Sequence, residues 1–335
     1  MAEVDVSKIK YNCVAVLSGG GQINLENIAT NLAWEENESE LSQRLNLTVR
    51  DVENGGRLSQ QLALCTAIVL YYDLGNGSGP QEAMRGTVWD WQHSEVNDDD
   101  VVLTVYDMLH YLEKSEDYKF YEAGKSTSTI TSDILTSWGV PVGEFSGPNI
   151  THEKMVLKTK KLAVMIKEVM EEAREKAGTK YVIRAKNGKC DIIRQGTNSQ
   201  IWTFSSDVSL IASSDKYSMD DLITQVKIFG KDDEDGAKRP SVLAVETGAK
   251  QYGTLQKVLY VGSSTIDEAK AEASSILSQY GKPKRSIVLR SPDLPCIRKG
   301  DKIRAIADKM DGYFHVLGVS HNATSRQMQM EVEPA

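Results

Sequence analysis

The side chains best suited to acid–base or metal chemistry are the five histidines, His93, His110, His152, His315 and His321. His315 and His321 stand six apart, on an expected strand and turn, where they could share a face. Neither has a Cys or carboxylate at metal-ligand spacing, so a satisfied or exposed imidazole is the expectation for both. Glu35/Glu36 and Asp98/Asp99 are adjacent acid pairs of the kind glycosidases use, yet surface acids far outnumber catalytic ones. Asp98, Asp99 and Asp100 follow one another but lack the DxDxDG spacing of a calcium loop, which leaves an acidic turn. Ser18-Gly19-Gly20-Gly21 follows a strand pattern, as phosphate loops do. No Gly-Lys-Ser/Thr comes after it, and Asn24 stands where a dinucleotide fingerprint needs its third glycine. Gly75, Gly77 and Gly79 run into Pro80, which reads as a hairpin loop. Cys13, Cys65, Cys190 and Cys296 form no CxxC pair and are expected to be isolated buried thiols. GxSxG and HExxH are absent. No catalytic, cofactor-binding or metal residue is therefore assigned, and no cofactor is expected.

The totals bound the class of protein. A chain of 335 residues is too long for one ordinary core, and 40% hydrophobic with 26% charged residues is a globular composition. The formal net charge of −8 argues against specific binding to nucleic acid phosphates, although an acidic wall would let nucleic acid slide past. The first residues, MAEVDVSKIK, hold no signal-peptide core, and no apolar run of about 18 residues suggests a membrane helix.

The elements that would carry these residues are mostly strands. Ser286 to Val332 is the best patterned stretch. Ile287 and Leu289 precede a Pro292–Pro295 corner, Arg298-Lys299-Gly300-Asp301 reads as a turn, and Ile303, Ala305 and Ala307 alternate with polar positions. Asp311-Gly312 is a hairpin signal, and Phe314, Val316, Met328, Met330 and Val332 close a four-strand series. Earlier, Val4–Val6, Tyr11–Leu17, Ile23–Leu25 and Leu45–Val49 read as strands, with a short helix over Glu38–Arg44. Arg57–Tyr72 fits helix or strand, tilting to strand at Ile68–Tyr72. Glu82–Tyr106 alternates as a hairpin. Laid on Tyr313–Val332, that hairpin suggests an internal repeat, with His93 and His321 near the ends of corresponding strands.

Between the copies the pattern becomes helical. Ser126–Val142 places Ile130, Ile134, Leu135 and Trp138 on one side before Gly139. Thr159–Lys176 carries the stripe Leu162, Met165, Ile166, Val169, Met170 and Ala173, with Gly178 as its cap. Asn187-Gly188 predicts a type I′ hairpin between Tyr181–Arg184 and Lys189–Arg194. A second barrel is expected to start near Val208, with strands around Ile223–Ile228 and Tyr252–Val261 and a charged loop at Lys231–Gly236. A helix is expected over Ile266–Tyr280. The fold expected is mainly β with an α+β insertion: two similar small antiparallel barrels and a helix-containing middle. Residues 1–112 form the first barrel. Residues 113–200 form the insertion, with helices 126–139 and 159–177 and hairpin 181–194. Residues 201–335 form the second barrel with helix 266–280.

Lys299-Gly300-Asp301, Tyr313–Val316, Val319-Ser320-His321 and the Met-rich Met328–Glu331 resemble the C-terminal barrel of phage tail baseplate hub proteins. That family includes the late control protein D type and the hubs of PBSX-like defective prophages. Trp34 and Leu45–Val49 match its first barrel. The resemblance implies a tail-tube-like barrel fold and a structural, non-enzymatic homotrimer located in a virion or bacteriocin-like tail particle and assembled in the host cytoplasm. Its implied partners are the tail tube protein or a tube-terminating baseplate protein, the central spike and the tape measure protein, with no membrane. Two barrels in each of three chains would present six to a six-fold tube and three to a three-fold spike. A rival reading takes the Ser126–Val142 helix, which is similar to that of LysM repeats, as part of a peptidoglycan-binding module or wall hydrolase. A structural helix with one buried face is preferred to it.

Overall fold

The computed structural model describes residues 5–53, 56–94, 99–207, 209–230, 240–261, 265–307 and 310–335. Asn97 and Asp98, Val208 and the charged loop at 231–236 lie outside them. The chain divides into two compact units. One comprises Met1–Ala173, Thr179–Ser214 and Ile287–Ala335, and the other Arg174–Gly178 and Asp215–Ser286.

The larger unit is built on a largely antiparallel sheet with thirteen strands among the described residues. Six of them lie in the order Ala29–Glu36, Gln43–Arg50, Asp100–Tyr106, Gln81–Ser94, Ala67–Asp73 and Lys10–Val16. A second run repeats it: Ala212–Ser218, Lys284–Pro292, Gln327–Pro334, Met310–Asn322, Lys302–Ala307 and Trp202–Ser205. The chain visits the six places in the same sequence each time. The repeat extends to irregularities. A bulge separates Val88 from Asp90 against Val105 and Thr104, and another separates Val316 from Gly318 against Val332 and Glu331. One place departs from it. Lys10–Val16 runs antiparallel to Ala67–Asp73, whereas Trp202–Ser205 runs parallel to Lys302–Ala307.

Alternation explains why these stretches are strands. Leu45, Leu47 and Val49 are buried along one edge-to-edge face, as are Val101, Leu103 and Val105 beside them and Met328, Met330 and Val332 in the second run. All of them belong to one apolar core that runs through both halves. Asn46, Thr48, Val102 and Thr104 point the other way. The halves are stitched by backbone pairing, with Val319, Ser320, His321 and Asn322 opposite Glu36, Glu35, Trp34 and Ala33.

Between the halves, Glu116–Tyr121 pairs with Met155–Lys161, and Lys189–Arg194 lies between Tyr181–Lys186, which it pairs antiparallel, and Val142–Phe145, which it pairs in parallel. The helix Thr127–Ser137 starts at Ser126, whose side chain accepts from Thr129 N–H. The helix Leu162–Ala177 buries the whole predicted stripe, and Gly178 ends it at φ +64°. Asn187 and Gly188 take φ 49° and 72°, the left-handed pair that a type I′ turn requires. The smaller unit sets the helix Ile266–Tyr280 on a sheet of Val242–Thr247, Gln225–Phe229 and Gln256–Tyr260, around Val226, Ile228, Ala269, Ala273 and Ile276.

Several expectations change. Glu38–Arg44 is no helix: residues 37–42 turn, and a strand starts at Gln43. The Lys299 ammonium donates to Asn37 O and Glu40 O there, and a helix would have spent those carbonyls internally. Val6–Lys8 is a 3₁₀ turn, capped by Asp5, rather than strand. Asp311-Gly312 is not the hairpin turn, because Ala307 already pairs with Met310 and Ile306 with Asp311. The third expected helix residue range starts late, at Leu162, since Met155–Lys161 pairs as strand first. Cys13 and Cys190 are buried, Cys296 is half-buried and Cys65 is exposed, in a turn at φ +66°.

The helix Ile266–Tyr280 opens with a full capping box between Thr265 and Glu268. Thr265→Ala is expected to cost about 1 kcal/mol. The loss should appear in hydrogen-exchange protection of Val226 and Ile228 while Leu47 and Leu103 keep theirs.

Candidate functional site: the seam between the repeated halves

The Arg298-Lys299-Gly300-Asp301 turn sits where three parts of the larger unit meet. Arg298 donates from Nε to Glu36 Oε1 at 2.9 Å and again from Nη2. Lys299 N–H donates to Glu36 Oε2 at 2.7 Å, so both carboxylate oxygens are held. Glu36 is only 2% exposed. Asp301 accepts from Arg298 N–H at 2.9 Å and from Arg184 Nη1 at 2.9 Å, which ties in the hairpin of the middle region. Arg184 also donates to Lys299 O at 3.0 Å. Gly300 makes the crowding possible. Its φ is +87°, and a Cβ there would lie 2.4 Å from Val182 Cγ1. Asp107 closes the group, accepting from Gln43 N–H at 2.9 Å and Leu109 N–H at 2.8 Å.

Burial works against the charged form of Glu36, but the charge and hydrogen bonds of Arg298, with Lys299 and Arg184, overcome it and pull the carboxyl down to about 2. Asp107 goes the other way. Burial pushes it up to about 7 against its two backbone hydrogen bonds, and the nearby Glu36 charge adds to the push.

A second contact lies beside the same strand pairing. His321 stacks on Trp34 at a centroid distance of 4.6 Å. Its Nδ1 is 2.6 Å from Asp293 Oδ1, and its Nε2 is 3.0 Å from Ile297 O. Tyr11 donates to the other Asp293 oxygen. The register of the repeat places His93 where His321 stands, and Asp51 where Asp293 stands. His93 Nε2 indeed lies 3.2 Å from Asp51 Oδ2. A His–Asp pair is thus a property of both halves. In the first half it meets Asp99, 3.1 Å from the same nitrogen, and Arg57, which reaches both carboxylates at 3.3 and 2.7 Å. Asp51, His93 and Asp99 bring one potential ligand atom each within 4.8 Å. Ser59 and Arg57 already occupy Asp51, and an ion-pair network accounts for the group.

The remaining histidines do not converge. His315 and His321 face opposite sides of their strand, because the bulge after Val316 shifts the alternation by one residue. His152 hydrogen-bonds Thr127 Oγ1 at 2.8 Å inside the middle region. His110 lies with Ser42 and Glu113, which superficially resembles a hydrolase triad. Ser42 Oγ is 3.3 Å from His110 Nδ1, and Glu113 Oε2 is 3.1 Å from the same nitrogen. A triad needs serine and acid on opposite ring nitrogens. Ser42 is also buried and donates to Glu113 at 2.9 Å, so the cluster serves as a structural tie. Glu35 and Glu36 are adjacent on a strand and point to opposite faces, the one paired with Arg44 and the other with Arg298. They cannot flank one bond. No second helix lies between Gly139 and Met155, which are fully described.

Sequence reasoning named Glu36 only as half of an acid pair and missed its tie to Arg298, and it missed Asp293. No local pattern links Glu36 to Arg298. Asp293 carried a signal, since extending the repeat by one strand lays Leu45–Asp51 on Ile287–Asp293.

A family model described as YQBQ-like matches residues 34–333. No curated protein sequence matches. Three solved structures share the fold across nearly their whole length. The tail protein from Neisseria meningitidis MC58 is 11% identical with a TM-score of 0.68, over 96% of each chain. The 43 kDa tail protein of prophage MuSo2 from Shewanella oneidensis is 12% identical with a TM-score of 0.68, over 96% of this chain and 98% of that one. The prophage tail protein gp18 from Listeria monocytogenes EGD-e is 12% identical with a TM-score of 0.57, over 96% and 94%.

Glu36→Gln leaves the Arg298 guanidinium buried without its counter-charge and is expected to cost about 3–5 kcal/mol in denaturant unfolding. The two acids also predict opposite pH dependences. Glu36, held low when folded, contributes stability that is lost as pH falls through about 2. Asp107, held high, contributes stability at low pH that is lost as pH rises through about 7. Denaturation midpoints measured from pH 5 to 8 should fall in the wild type, and that slope should flatten in Asp107→Asn.

Proposed function

The chain belongs to the YQBQ-like family, and from that membership, with a fold shared with phage tail proteins, we propose that it is a structural baseplate hub of a phage or phage-derived tail. The observation that carries the proposal is the repeat within the larger unit. Six strands recur in the same spatial and chain order, with a bulge and a His–Asp pair at corresponding places.

A homotrimer of such chains presents six similar sheet modules to a six-fold tail tube and a three-fold arrangement to a central spike. The halves differ where a ring of alternating modules requires. The first half carries Gln22–Asn24 beside Lys10–Val16, and the second receives Asp215–Ser286 between its first two strand places. The proposed role needs interfaces rather than a reaction. The proposed partners are the tube or a tube-terminating baseplate protein, the spike and the tape measure protein, in a virion or bacteriocin-like particle.

One observation favours a second reading, a wall-binding middle region. Tyr118 and Phe120 are exposed on one strand of the Glu116–Tyr121 and Met155–Lys161 pair, with Lys154 Nζ 5.3 Å from the Phe120 ring. Aromatic rings with a neighbouring cation suit a glycan, but the second helix of a LysM repeat is missing.

Light scattering of the purified protein should give a mass near three chains, with rings in negative stain. A single-chain mass at all concentrations, together with sedimentation on purified peptidoglycan that Phe120→Ala abolishes, would favour the wall-binding reading.

A further inference from the structure

The seam inside the chain specifies the seam between chains. We infer that the strand Ala212–Ser218 of one copy adds to the free edge of Trp91–Ser94 on another copy. It would repeat between chains the pairing that Ala33–Glu36 and Val319–Asn322 make within one. The inference rests on the ring reading above and adds to it the strands that close the ring.

Corresponding strands of the two halves differ in what covers them. Met310–Asn322 divides its length between two neighbours on one side. Up to His315 it pairs with Lys302–Ala307, and from Val319 it pairs with Ala33–Glu36. Gln81–Ser94 begins the same way, pairing with Ala67–Asp73 up to Thr87. Beyond its bulge it keeps its partner on the other side, Val101–Thr104, but among the described residues no strand takes the place that Ala33–Glu36 fills in the other half. The exposure differs accordingly. Val319 is 3% exposed in the seam, whereas Trp91, its counterpart by register, is 38% exposed. A large apolar side chain stands uncovered where its twin is buried.

The matching strand is uncovered too. Ala29–Glu36 has neighbours on both sides, Gln43–Arg50 and Met310–Asn322. Ala212–Ser218 holds the same place in the second half and, among the described residues, has one neighbour, Lys284–Pro292. Every residue from Ala212 to Tyr217 is exposed. An unpaired edge is a standing template for another strand, and natural sheets leave one open where pairing is intended. Two open edges, each lacking what the other half shows in place, complement one another. They lie on different parts of the chain, so the contact is head-to-tail and closes only as a ring.

Cysteine pairing tests this on the full chain, in a Cys65→Ser background that removes the exposed native thiol. Gln92→Cys is combined in turn with Ser213→Cys, Ser214→Cys and Asp215→Cys, because paired strands bring Cβ atoms within disulfide reach. Oxidation of at least one combination should yield covalent species of two and three chains, and none of the single-cysteine proteins should. Trp91→Glu should reduce the scattering mass from three chains to one and leave the far-ultraviolet circular dichroism of the folded chain unchanged, with any fall in melting temperature no larger than dilution of the wild type to single chains produces. A protein with the mass of three chains that forms no cross-link in any combination, or that keeps this mass with Trp91→Glu, overturns the joint and leaves the ring standing. A single-chain mass at every concentration without cross-links removes the ring reading and the joint with it.

Discussion

Glu36 has to be charged in a place with almost no water, and the larger unit is arranged around that requirement. A lone buried carboxylate would be prohibitively costly. It is held here by a guanidinium and a backbone N–H from one four-residue turn, and that turn is fixed by Arg184 and by a glycine that no other residue can replace without meeting Val182. The strand bearing Glu36, the hairpin bearing Arg184 and the turn itself come from the first half, the middle region and the second half. A displacement of any of the three by an ångström strands a charge. Hydrophobic burial holds the sheet together, and this ionic group sets its alignment.

The two halves show what repetition keeps and what it releases. Strand order, the bulge and the His–Asp pair recur. The surroundings of that pair do not. His321 is enclosed by Trp34, Tyr11 and Ile297, while His93 faces Arg57 and Asp99 near the surface. Identical chemistry is thus placed in one closed and one open setting.

Much of the fold was legible wherever a signal is local. The Leu162–Ala173 stripe, the Asn187-Gly188 turn and the helix Ile266–Tyr280 each depend on residues a few positions apart, and each appears as read. Glu38–Arg44 misled because its helical spacing competes with Lys299, some 260 residues away, for the same carbonyls. Asp311-Gly312 misled because register, set by the Phe314–Ile303 pairing, had already placed the reversal earlier. The His93–His321 correspondence was visible in the strand pattern. The Glu36–Arg298 pair was not, since an ion pair between distant segments leaves no periodicity in either.

Ala212–Ser218 and Lys284–Pro292 are neighbours in the sheet although a long stretch of chain separates them, and Arg285 grips Asp215 there with two nitrogens, at 2.9 to 3.1 Å. That fork holds the two strand ends together whatever runs between them. Because the entropy of closing a loop grows only slowly with its length, a shorter or longer stretch between the two strands would change the cost of bringing them together only slightly.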